Sequence, residues 1–131
     1  MLYLKYNIMY LVYILRSDNR SYIGMTNDFF KRWLQHNKYL KGGAKYTSKY
    51  NNWTPICIID GFKTKSEAMQ CEWRLKRVSG YFNRIKYLSN IIKNENKWTS
   101  KSPLIKEQQL HVYVINDYKY LFDKYRELVW L

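Results

Sequence analysis

Arg32 and His36 stand four residues apart, Glu72 comes later beside an apolar stripe, and two tyrosines, Tyr13 and Tyr22, lie upstream in β-branched, aromatic runs. Side chains of these types could hydrolyse a phosphodiester. That reaction needs a water deprotonated, the charge growing on the phosphorus oxygens neutralised, and the leaving oxygen accommodated. Arg32 offers a forked donor and a permanent cation for a phosphate, although an ordinary exposed helix arginine is the commoner fate. His36 could hydrogen-bond an active group or relay a proton, since its charge is easily tuned near neutral pH; lone helical histidines are more often merely surface or core. Tyrosines in such strands are, by type alone, core.

Before residue 95 the acids are Asp18, Asp28, Asp60, Glu67 and Glu72. Asp18 reads as turn, Asp28 as helix start and Glu67 as part of a capping box, which leaves Asp60 and Glu72. Only Glu72 falls at the border of an apolar helix face, where an unpaired carboxylate is disfavoured unless a cation partners it. Position alone leaves that cation open between a neighbour such as Lys76 and a metal ion. Magnesium keeps several waters and takes one or two protein carboxylates, so one acid can suffice.

The elements that must position these groups are legible. Val12-Tyr13-Ile14 lies in a strand run, Ser17 to Arg20 is a turn signal and Tyr22-Ile23 begins a second run, which together predict a hairpin. After Gly24 the period becomes helical. A helix is predicted over Asp28 to Leu40, opened by Thr26 or Asn27, with Phe29, Phe30, Trp33, Leu34 and Leu40 as its apolar stripe and Arg32 and His36 at the border. Thr64 to Glu67 has capping-box spacing and predicts a helix over Lys65 to Arg77 whose inward face is Ala68, Cys71, Leu75 and Val78. Pro55 to Ile59 is nearly continuous in apolar residues and suits a strand covered on both faces. An α+β (α/β) fold follows, with a small antiparallel sheet of about three strands between two helices. Further on, Ser79-Gly80 is a break, Tyr81 to Lys93 has helical spacing, Lys97 to Pro103 is a loop, His111 to Ile115 is a short strand, and Asp117 caps a last helix over Tyr118 to Leu128.

At 131 residues the chain is expected to be one domain, with a core over 8–78 and an extension over 79–131. Its 23 Lys and Arg against 10 Asp and Glu give +13, which favours a polyanionic partner, nucleic acid before an anionic membrane. Enrichment in Lys, Asn, Ile and Tyr is also what an AT-rich genome writes into any protein. The run Ile8 to Leu15 is too short to span a bilayer and lacks a cleavage site, so it reads as the first strand of an intracellular protein. Cys57 and Cys71 suit buried free thiols in a reducing compartment, and a zinc site from them with His36 and His111 would lack paired spacings. In the loop over 38–54, Lys38, Lys41, Lys45 and Lys49 with Tyr46 and Tyr50 could grip a phosphate backbone and stack a base, or could simply be solvated.

Tyr13 in a first strand, Tyr22-Ile23-Gly24 in a second, Arg32 and His36 on the next helix and a later helical Glu72 resemble the GIY-YIG nuclease family. The first triplet reads Val12-Tyr13-Ile14, without the glycine-isoleucine of the name. Lys41-Gly42-Gly43-Ala44 with Thr47, then Ile58 to Phe62, then Cys71-Glu72-Trp73 are similar to the branch that supplies the catalytic subunit of the eukaryotic structure-selective endonuclease of branched DNA. The resemblance covers residues 10 to 77, with a weaker echo through Trp98 and Pro103-Leu104. It implies that Tyr13, Tyr22, Arg32, His36 and Glu72 are catalytic, with Tyr13 activating the water and Glu72 holding one magnesium or manganese ion. A phenol titrates near ~10, so Tyr13 needs the metal and Arg32 to lower its pKa, or else only orients the water. It also implies that Lys31, Lys38, Lys41, Gly42, Gly43, Lys45, Tyr46, Thr47 and Lys49 face DNA, of branched, flap or junction form. The branch normally continues into a zinc-binding RING-type domain that contacts a scaffold subunit; nothing in these residues corresponds to it, which leaves a scaffold subunit, a homodimer or action alone. The alternatives are a non-catalytic DNA- or scaffold-binding module on the same fold and a site-specific homing or restriction-type nuclease.

Overall fold

A computed structural model describes residues 9–130. Ile8, expected to begin the first strand, lies outside the described residues, as does the last residue of the predicted extension. The elements run β1 (Tyr10–Ser17), β2 (Arg20–Thr26), α1 (Phe29–His36), β3 (Thr54–Phe62), α2 (Lys65–Leu75), α3 (Tyr81–Asn94), β4 (His111–Val114) and β5 (Arg126–Glu127), with short 3-10 turns at Thr47–Lys49, Ile105–Glu107 and Asn116–Leu121. The sheet order is β2-β1-β3-β4-β5. Neighbours are antiparallel except β4 and β5, which run parallel, so the sheet is mixed and has five strands where about three antiparallel ones were expected.

Strand periodicity divides the core. Successive side chains of a strand point to opposite faces. Leu11, Tyr13 and Leu15 of β1 therefore join Phe29, Trp53, Ile58 and Leu128 on one face, the α1 side. Val12 and Ile14 join Ile23, Ala68, Cys71, Leu75, Ile85 and Leu88 on the other, under α2 and α3. β3 is buried along almost its whole length, as its apolar run predicts. Both cysteines are buried free thiols. Burial pushes Cys57 up to about 12 and Cys71 well above its ordinary value.

α2 starts as its capping box requires: the Thr64 hydroxyl accepts from the Glu67 N–H at 3.1 Å and donates to the Glu67 carboxylate at 2.8 Å. Ala68, Cys71 and Leu75 are buried beneath it, while Val78 lies beyond its end and is half-buried. α1 departs from expectation at both ends. Its N-cap is Asp28, whose carboxylate accepts from Lys31 N–H at 3.2 Å, and Thr26 instead accepts from the Asp28 N–H. It stops at His36 rather than Leu40, because Asn37 is tied to Trp53 by two side-chain bonds and Lys38 takes a left-handed φ of 69°. The stripe changes accordingly: Phe30 and Leu40 are exposed, and Phe29 and His36 turn inward.

The predicted last helix does not form. Tyr118 and Phe122 belong to the core under α2 and α3, whereas Leu128 belongs to the core under α1. Joining both faces means passing round the edge of β4, which one straight helix over Tyr118 to Leu128 cannot do. The segment is instead a 3-10 turn, a bend and the short strand β5.

Candidate active site at the edge of the sheet

β2 is an edge strand, and helices from opposite layers meet it: α1 brings Arg32 and His36, and α2 brings Glu72. Tyr13 and Tyr22 project to the α1 side from paired strands, since Tyr13 lies opposite Gly24 and Leu15 opposite Tyr22. Their ring centroids are 6.3 Å apart. The His36 ring closes a triangle with them, 5.7 Å from Tyr13 and 4.8 Å from Tyr22. The Phe29 ring meets Tyr13 edge-on at 5.2 Å.

The hydrogen bonds define a tautomer. Thr47 Oγ1 is 2.8 Å from His36 Nδ1 and donates its own proton to the Ala44 carbonyl at 3.1 Å. A hydroxyl has one proton, so toward His36 it accepts, and Nδ1 carries the hydrogen. Nε2 is then a bare acceptor, 2.7 Å from the Tyr13 oxygen, and the phenol O–H donates to it. Burial, with Arg32 adding to it, lowers the His36 pKa to about 4, so the ring is neutral at physiological pH. Burial raises the Tyr13 phenol above its ordinary value, with Tyr22 and then Glu72 adding to the rise and the Arg32 cation opposing it.

Gly24 has a physical reason. A Cβ there would lie 2.2 Å from the Tyr13 oxygen, so the phenol occupies the space a side chain would fill. Gly43 is constrained likewise, its Cβ falling 2.4 Å from the Gln35 carbonyl. The glycine loop is clasped by α1: Arg32 Nη1 donates to the Gly42 carbonyl at 2.7 Å and to Gln35 Oε1 at 3.0 Å, and Gln35 Nε2 donates to the Lys41 carbonyl at 3.1 Å.

Glu72 is half-buried, and its carboxylate is 3.5 Å from the ammonium of Lys76 one turn on. The ion pair weighed from the sequence is therefore present. The Glu72 charge adds to the rise of the Tyr13 pKa, after burial and Tyr22. No group of three or more His, Cys, Asp or Glu gathers among the described residues, so a hard divalent cation here would take the one carboxylate of Glu72 in place of Lys76 and keep most of its waters. Asp60, the other acid left open by the sequence, sits elsewhere and pairs with His111 at 3.2 Å.

Of the residues expected to face DNA, Lys31, Lys38, Lys41, Gly42, Gly43, Lys45, Tyr46 and Lys49 are exposed. Thr47 is fully buried behind His36, where its hydroxyl orients the imidazole. Sequence reasoning placed Thr47 on the loop surface and passed over Gln35 altogether. No spacing rule links residue 47 to residue 36; the loop folds back because Trp53 is buried under it, donating its indole N–H to the Thr47 carbonyl at 3.0 Å.

A family model described as the GIY-YIG catalytic domain matches residues 9–87. Among curated proteins the chain is similar to a "Structure-specific endonuclease subunit SLX1 homolog" of Giardia intestinalis, 41% identical over 71 residues, covering 53% of this chain and 20% of that one. The SLX1 subunit of Phaeosphaeria nodorum is 47% identical over 68 residues, covering 49% of this chain and 19% of its own. That of Schizosaccharomyces japonicus is 40% identical over 70 residues, covering 50% and 26%. The chain thus spans about a fifth to a quarter of the length of these relatives. The match from β1 into α3 takes in more than half of the chain and every residue of the Tyr13 to Glu72 cluster, and on that ground the chain belongs to the GIY-YIG catalytic-domain family.

Proposed function

We propose that this protein is a metal-assisted DNA endonuclease that hydrolyses phosphodiester bonds in branched, flapped or junction DNA. The observation that carries the reading is the hydrogen-bonded chain Tyr13–His36–Thr47 at the sheet edge where α1, which carries Arg32, and α2, which carries Glu72, both pack. Magnesium or manganese held by Glu72, with its own waters and phosphate oxygens, would stabilise charge on the phosphate and make nearby protons easier to remove.

The chain's own residues do the rest. As the water attacks, the Tyr13 oxygen takes its proton while the phenol proton passes along the 2.7 Å hydrogen bond to His36 Nε2, which ends as an imidazolium. Tyr22, half-buried and closer to solvent, lines the same wall and completes the water-activating pair. Arg32 clamps the phosphate through its planar fork. In the free protein burial and the Arg32 cation make His36 a weak base. A bound phosphate beside Arg32 adds negative charge and raises the proton affinity of the imidazole, so basicity grows when substrate is in place. Lys31, Lys38, Lys41, Lys45, Lys49 and Tyr46, with the exposed Gly42-Gly43 backbone, provide the surface along which the DNA backbone runs.

The relatives are named as endonuclease subunits, so a scaffold subunit or a second copy of this chain is the partner we propose, in an intracellular compartment that holds DNA. The decisive experiment incubates labelled duplex, flap, fork and four-way substrates with and without divalent ions. Cleavage that requires both the ion and Glu72, with Glu72→Gln still binding DNA, is the expected result. Undiminished cleavage by Glu72→Gln removes the metal assignment, and binding without cleavage under any ion leaves a non-catalytic DNA-binding module.

A further inference from the structure

A cavity of about 540 Å³ opens on the same β2 edge and includes Arg20, Ser21, Tyr22, Tyr46, Lys76 and Arg84 in its wall. Its size is that of a small-ligand site. Arg20, Lys76 and Arg84 line it, and although Lys76 is paired with Glu72, no carboxylate belongs to the wall itself. Arg84 comes from α3, outside the catalytic cluster, and is half-buried, its Nε donating to the Val78 carbonyl at 2.9 Å and its Nη1 to Ser21 Oγ at 2.7 Å. Among the described residues it has no acidic partner within ion-pair distance. A guanidinium taken partly out of water without a counter-charge is costly, and a phosphate supplies that counter-charge. Arg20, which also has no acidic partner among the described residues, lines the cavity and lies 3.8 Å over the Tyr50 ring.

The aromatic side of the cavity is equally specific. Tyr46 and Tyr22 are nearly parallel, 16° between planes, with centroids 6.4 Å apart. Rings of this kind are platforms on which bases stack without regard to sequence. Tyr22 belongs to both the cavity and the triangle with Tyr13 and His36, so the cavity adjoins the candidate active site.

We propose that this cavity is a nucleotide subsite, taking an unpaired nucleotide next to the scissile bond with its phosphate against Arg84 and Arg20 and its base on Tyr46. This rests on the nuclease reading of the Tyr13 to Glu72 cluster. It gives a physical source for selectivity toward branched DNA: the cavity admits a nucleotide freed from its pair, which a flap or junction offers and an intact duplex does not without unstacking.

The test measures binding of a fluorescent flapped oligonucleotide without divalent ions, so that no cutting enters, over about 50 to 200 mM salt. Arg84→Gln is expected to weaken binding about tenfold and to flatten the slope of log affinity against log salt by about 0.7 to 0.9. Arg84→Lys keeps the slope because it keeps the charge. An Arg84→Gln protein with the parent's slope, or an Arg84→Lys protein that loses as much as Arg84→Gln, would show the guanidinium to be only a brace between Ser21 and Val78 and would overturn the proposal. Should Arg84→Gln fail to fold, Arg20→Gln is judged by the same slope. Tyr46→Ala is expected to remove the preference for flap over duplex; a preference that survives removes the stacking role. A protein that binds in this way yet never cleaves would remove the nuclease reading and leave the subsite standing.

Discussion

At the scale of single residues, the Tyr13 oxygen is held between His36 Nε2 and the bare Cα of Gly24. Replacing Tyr13 by Phe removes one oxygen and little volume. Cleavage in single-turnover assays is expected to fall by about 10² to 10⁴ with DNA binding kept, the range of general acid–base effects; a normal rate would move the base to Tyr22. Gly24→Ala sets a methyl against a phenol that burial prevents from moving, and is expected to lower stability by about 1–3 kcal/mol and to abolish cutting, read by melting temperature and activity together. His36 gives a pH signature. Its pKa falls from 6.5 to about 4 on folding, so between those values the unfolded chain binds a proton that the folded chain does not. Stability therefore rises with pH through that window and is lost as pH falls from 6.5 toward 4. His36→Gln is expected to flatten the melting-temperature profile there, and an unchanged profile would show that some other group governs it.

At the scale of elements, the loop between α1 and β3 is part of the site through Thr47. Thr47→Val keeps the shape but leaves the buried Nδ1–H of His36 without an acceptor, a loss of about 1–3 kcal/mol that also frees the other tautomer. Activity is expected to drop along with the melting temperature. Thr64→Ala, by contrast, weakens only the start of α2 and should cost about 1 kcal/mol while the turnover rate of the folded fraction is unchanged. The two substitutions separate a loop that orients the candidate imidazole of His36 from a cap that only supports the helix carrying Glu72. The start of α2 and its inward Ala68, Cys71 and Leu75 were legible in the letters because cap and periodicity are local, although the helix ends at Leu75, two residues short of the expected Arg77, and leaves Val78 off its face. α1 was read four residues too long because its end is set by Asn37 and Trp53, a contact made across the loop.

At the scale of the whole molecule, a charge of +13 predicts that the proposed DNA binding depends strongly on salt. With 6–10 phosphates neutralised, affinity is expected to fall by about 10³ to 10⁵ between 50 and 200 mM salt, whatever the substrate shape. The C-terminal segment is built into the same architecture: β4 pairs with β3, Tyr118 and Phe122 enter one core, and Leu128 enters the other. Residues 111–130 therefore close both faces of the nuclease fold. From the sequence alone came the hairpin, the central buried strand, the capped second helix, the basic loop and the five candidate catalytic residues, because each is marked by local periodicity, a cap, or a motif read in order along the chain. Tertiary structure decided the five-stranded mixed sheet, the missing last helix, the inward turn of Thr47 and the cavity beside Tyr22. These depend on which face of the sheet a distant segment covers, and that is settled by packing between residues far apart in the chain.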